Sequence, residues 1–201
     1  MSSPVDICNM ALARLGDSAN ISSIDPPDDS VQANYCSTFY PIALSQALDQ
    51  HTWRFATKRF ALAERTNDAP DEWRYCYAVP SDFINLVRVT APGIDSIDID
   101  YDIEIAADGQ QVLYADINPL ALVYVSAAVS SAQLSPAFVA YLSALLAHHL
   151  SGPILKGDVG ASAANKFLEL ANSLRAIAIE RDTMNSRRPR EYVSENTRAR
   201  N

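Results

Sequence analysis

Four acids, Asp98, Asp100, Asp102 and Glu104, alternate with Ile97, Ile99, Tyr101, Ile103 and Ile105 and are the first place to look for metal chemistry. A calcium loop draws oxygen ligands from alternate positions in this way, but it needs Gly at its sixth position and a bidentate Glu at its last. Ile103 and Gly109 stand there instead. Strict alternation sends successive side chains to opposite faces, so the acids read as the wet face of a strand, a solvated edge or lining. His51, His148 and His149 are the only histidines. Neighbours on a helix point about 100° apart, which keeps His148 and His149 from ligating one ion. The chain has no Gly-rich phosphate loop and no Gly-x-Ser-x-Gly elbow. Cys8, Cys36 and Cys76 are far apart in sequence and flanked by core-like residues, which suits reduced, buried thiols. No catalytic residue, metal or cofactor is expected. The alternative that stays open is a carboxylate-dependent hydrolase of the cell-wall-degrading type, because sequence alone does not constrain a pair of acids that meet in space.

The elements that position these residues are legible in outline. Ser3-Pro4-Val5-Asp6 starts a helix with a cap, a proline at the first helical position and an acid returning to the cap, and Gly16 stops it. Asp29 and Gln32 start a long helix after the Pro26-Pro27 loop, with Val31, Tyr35, Phe39 and Ile42 as its buried stripe and Leu44, Ala47 and Leu48 widening that face. His51-Thr-Trp53-Arg-Phe55-Ala is a corner at which Trp53 and Phe55 plug the core. The period then changes from helical to alternating. Phe60, Leu62 and Glu64 share one strand face, and Trp73, Tyr75, Tyr77 and Val79 share another, the three aromatics being structural core. Asp108-Gly109 predicts a hairpin turn, and residues 120–125 read as a buried strand. Ser135-Pro136 restarts helix, Gly152-Pro153 ends it, and a last helix covers roughly 160–184. The expected fold is α+β: a four-helix body (1–56 and 135–186) with an antiparallel sheet inserted at 57–130 and a tail at 187–201.

Three stretches in this order resemble a family. They are Ile7-Cys-Asn9-Met-Ala11-Leu12-Ala-Arg-Leu15-Gly16 followed by Ile21-Ser-Ser-Ile24; Trp53-x-Phe55-Ala56 with the basic pair Lys58-Arg59 and then Leu62-Ala63; and Trp73-Arg-Tyr75-Cys-Tyr77-Ala-Val79-Pro80-Ser-Asp82-Phe83. Together they resemble the tail tubular protein A family, the head-to-tail adaptors of short-tailed phages. The resemblance covers residues 7–90 and beyond them is one of layout. It implies a structural virion protein that forms a ring, usually twelve-fold, between the portal protein and the tail nozzle protein, with DNA passing through unbound. It also implies assembly in the host cytoplasm and a final place in the virion tail.

Composition agrees with a structural role. The chain is 48% hydrophobic and 20% charged, and its 9 Tyr and 6 Phe can build contacts. No uninterrupted apolar run of about 18 residues is present, so no membrane span is expected, and Met1-Ser-Ser-Pro lacks the regions of a signal peptide. The net charge of −8 is uneven: Arg187, Arg188, Arg190, Arg198 and Arg200 against Glu191 and Glu195 make residues 187–201 locally +3, leaving −11 on the rest. An acidic body is unsuited to gripping nucleic acid. The acids 98, 100, 102 and 104 are therefore expected to line a channel that repels phosphate. Arg187, Arg188 and Arg190, with Tyr192 and Val193 as an apolar anchor, are expected to contact the portal or a neighbouring subunit.

Overall fold

In the computed structural model, residues 2–18, 20–94 and 98–184 are described. Helix α1 (Pro4–Arg14) opens with the capping box expected of Ser3 and Asp6. Helix α2 (Val31–Asp49) starts one residue later than Asp29 suggested, because Ser30 is the cap and accepts the Ala33 N–H. Strands β1 (Thr57–Ala61), β2 (Ala63–Arg65), β3 (Tyr75–Ala78), β4 (Phe83–Thr90), β5 (Tyr101–Ile105), β6 (Gln111–Ala115) and β7 (Ala121–Ser126) follow. Helices α3 (Pro136–Leu155) and α4 (Gly157–Met184) close the described chain. The protein is α+β, with four helices, two before and two after the antiparallel strands.

The strands form two sheets where one was expected: β1-β7-β4 and β2-β3-β6-β5. The chain changes sheet at Leu62, between β1 and β2, so the alternating run from Phe60 to Glu64 is split between the two sheets. Val125, Ile84 and Val87 of the three-stranded sheet pack on the helices. Leu122, Tyr124 and Val89 pack on Tyr77, Leu113 and Ala115 of the four-stranded sheet. The smaller sheet is thus the middle layer, and Cys76, Val112, Tyr114 and Trp73 form a third, outer cluster.

Helix α3 is the axis of the helical layer. It is long and apolar enough to cross a membrane by length and composition, which the absence of one unbroken apolar run did not suggest, yet most of it is buried in this core. Pro153 does not end it; the helix runs on to Leu155, since a proline in the last turn costs one backbone bond, and Lys156 closes that turn on the Gly152 carbonyl. On α2 the buried face is Ala33, Cys36, Tyr40, Ala43 and Ala47, not the stripe through Val31 and Ile42, which are 61% and 50% exposed. Small residues let that helix approach its neighbours closely, and this outweighed the larger side chains beside them. Ile177 of α4 is likewise exposed, while Ala171 and Ala178 are buried.

Candidate functional site

Each of the three family-like stretches holds at least one polar group that the fold uses as a fastener. Asn9 accepts the Ile21 N–H at 2.9 Å and donates to the Ile21 carbonyl at 3.0 Å, tying the loop after α1 back onto that helix. Trp53 is fully buried and donates its indole N–H to the Ala47 carbonyl at 2.8 Å. Its ring meets Phe138 edge-on at 4.9 Å, and Phe55 packs against both at the corner where helix becomes strand.

Asp82 is the hub of the third stretch. One carboxylate oxygen accepts from the Lys58 ammonium at 2.8 Å and from the Ser126 hydroxyl at 2.6 Å, and the other accepts from the Tyr124 hydroxyl at 2.8 Å. Its carbonyl also accepts the Ala127 N–H at 2.7 Å. Burial alone would raise this carboxyl, but the three donors outweigh it and bring the pKa down from 3.8 to about 2. Burial and the same carboxylate push the Tyr124 phenol up to about 12. The group therefore stays an ionised acceptor that clamps β1, β4 and β7 together. This role of Asp82 is not legible in the sequence, because its partners lie at 58, 124 and 126, separations that no local pattern reveals.

The aromatics of the third stretch divide between two clusters. Tyr75 and Tyr77 point into the inter-sheet core with Val79, as expected, and the Tyr77 hydroxyl donates to the Ile117 carbonyl at 2.7 Å. Trp73 lies in the outer cluster, on the opposite face. It precedes the strand, in a turn closed by its N–H on the Ala69 carbonyl, so the alternation does not extend back to it.

The acidic run begins outside regular strand. Asp98 and Asp100 precede β5 and are exposed, Ile99 is buried, and Asp102 and Glu104 are exposed on β5 itself. All four acids therefore face solvent, at an edge of the four-stranded sheet. Ile105 is 75% exposed, so the apolar half of the alternation is only partly covered.

The two adjacent histidines of α3 face different partners. His148 Nδ1 lies 2.9 Å from the Ala164 carbonyl oxygen and His149 Nε2 lies 2.9 Å from Gln46 Oε1. Burial, helped by the neighbouring His148, lowers the His149 pKa. Among the described residues, no three His, Cys, Asp or Glu side chains gather as metal ligands. Every described Asp with a shifted carboxyl (Asp6, Asp28, Asp68, Asp82 and Asp108) is held below the ordinary range by hydrogen bonds, whereas a glycosidase-type acid must be raised. Cys8, Cys36 and Cys76 are free and buried. Arg187, Arg188, Arg190, Tyr192 and Val193 lie outside the described residues.

No protein-family model matches the chain, and no curated protein matches it.

Proposed function

We propose that this chain is a structural virion protein, a head-to-tail adaptor whose ring joins the portal protein to the tail nozzle protein and encloses part of the DNA path. The observation that carries the reading is the ordered resemblance over residues 7–90 to the tail tubular protein A family. The structure supports it indirectly: Asn9, Trp53 and Asp82, the most distinctive polar-capable residues of those stretches, are all engaged in holding the fold. Asp82 and Asp68 are held below the usual carboxylate range by hydrogen bonds, which suits structural acceptors rather than general acids.

On this reading the ring, twelve-fold in such adaptors, has Asp98, Asp100, Asp102 and Glu104 bordering the channel, where like charge keeps phosphate from sticking. The Arg-rich segment after 186 clamps the portal or the next subunit. No cofactor is required, and the protein sits at the head-tail junction of the virion. Co-sedimentation with purified, DNA-free portal rings tests the reading: the chain is expected to travel with the rings at fixed stoichiometry. Failure to bind portals at any protein concentration, or hydrolysis of peptidoglycan by the purified chain, would overturn it.

A further inference from the structure

Four strands leave an edge unpaired among the described residues, β1 and β4 in the smaller sheet and β2 and β5 in the larger, and of these β1 and β5 lie on opposite flanks of the sandwich. Strand β1 pairs only with β7, and β5 only with β6. Because β1 runs directly into β2, those two strands share one flank, which leaves β5 on the other. The edge strands β1 and β5 differ in charge. β1 carries Lys58 and Arg59, both exposed, while β5 carries Asp102 and Glu104. Each edge also exposes large apolar side chains: Phe60 at 45% on β1, and Tyr101 at 39% and Ile105 at 75% on β5. These side chains are only partly covered by their own chain.

The backbone points the same way. Ala106 N–H bonds the Gln110 carbonyl, and with the β5/β6 register this directs the Glu104 and Asp102 N–H groups inward and the Ile103 N–H to the open edge. There the Asp102 carboxylate accepts it at 2.8 Å, a charged plug on an edge that would otherwise invite pairing. On β1, the Leu62 N–H bond to Leu120 sets the same alternation and leaves the Arg59 N–H facing outward.

We propose that copies of this chain join edge to edge, β5 of one copy against β1 of the next, with Asp102 and Glu104 facing Arg59 across one face of the seam and Phe60, on the other face with Lys58, covering Tyr101 and Ile105. The proposal rests on the ring reading above and names the contact that builds the ring. Unlike patches on opposite flanks make a heterologous contact, the kind that closes into rings. Self-pairing is penalised on both sides: β5 on β5 opposes acid to acid, and β1 on β1 opposes base to base. A cation from the neighbour also draws the Asp102 carboxylate off the Ile103 N–H and so opens the edge for pairing. Arg59 is the freer cation, its only described bond being a 3.5 Å contact with the Thr90 hydroxyl, whereas Lys58 also holds Asp82.

Cross-linking decides it. Phe60→Cys and Ile105→Cys are made separately; both sites are exposed, and the native cysteines are fully buried. Each variant alone, and a one-to-one mixture, is bound to portal rings, treated with a short bismaleimide and imaged by negative stain. A covalent dimer in the mixture and none in either variant alone is expected. Glu104→Arg and Arg59→Glu should each lower that yield roughly tenfold, and the two changes combined in one chain should restore it. Rings without the mixed dimer would overturn this contact and leave the ring reading standing. Dimer from one variant alone would overturn the contact in favour of a symmetric pair, and absence of rings would remove both claims.

Discussion

Replacing Asp82 by Asn removes the charge that three donors share while leaving the side-chain shape. The carboxyl is shifted from 3.8 to about 2, which at 1.36 kcal/mol per unit amounts to about 2.5 kcal/mol of native-state stabilisation at neutral pH. Asp82 keeps 23% of its side chain exposed and Lys58 keeps 45%, so solvent screens part of the ion pair and about 2 kcal/mol is the working figure. In a chain of this size that lowers the midpoint of thermal unfolding by about 4–8 °C. The sign with pH is fixed: a depressed carboxyl stabilises above its unfolded pKa and ceases to as pH falls through the folded one. The gap between the parent and Asp82→Asn should therefore be full at pH 7, shrink to roughly half by pH 3 and nearly close at pH 2. Urea unfolding followed by tryptophan fluorescence at each pH measures it. An Asp82→Asn protein as stable as the parent at pH 7, or a gap that does not narrow in acid, would refute the clamp.

Other expectations follow from geometry of the same kind. A Cβ on Gly160 would sit 2.9 Å from the Ser151 carbonyl oxygen where α4 passes the end of α3, so Gly160→Ala should cost about 1–3 kcal/mol in urea unfolding despite alanine's better helix propensity. Trp53→Phe leaves the Ala47 carbonyl without the indole donor in a fully buried site and should cost about 2–4 kcal/mol, read as a lower denaturation midpoint. Changing Asp98 and Asp100 to Asn, the two acids that lie before β5 and outside the proposed seam, should leave the fold and the ring intact but slow genome release from assembled particles; unchanged release across a range of salt would refute the channel role. Truncation after Asn185 should give a folded protein that no longer binds DNA-free portals in a pull-down.

The sequence was most readable where a signal is local. Ser3 and Ser135 cap the helices expected of them, and Asp108-Gly109 makes the β5–β6 turn with Gly109 at φ 82°, a backbone angle that glycine adopts without strain. Reading failed where packing partners decide. On α2 the Tyr35, Phe39, Leu44, Ala47 and Leu48 part of the expected face meets the core, but Val31 and Ile42 are exposed and Ala33, Cys36 and Ala43 are buried instead, because small residues on that side fit where the larger ones do not. The switch of sheets at Leu62 leaves no mark, because both halves alternate alike. The acids on β5 were legible as a wet face, but their place at a free edge depends on strand order, which alternation does not encode. Asp82 stands in a readable turn, yet its three donors come from β1 and β7.

Cryo-electron microscopy of the chain mixed with purified portal rings tests the central claim most directly. The account predicts a ring of this protein stacked coaxially on the portal, its subunits related head to tail around an open passage wide enough for duplex DNA. A symmetric two-fold dimer both free and in the presence of portals, or portals that remain bare at saturating protein, would contradict it.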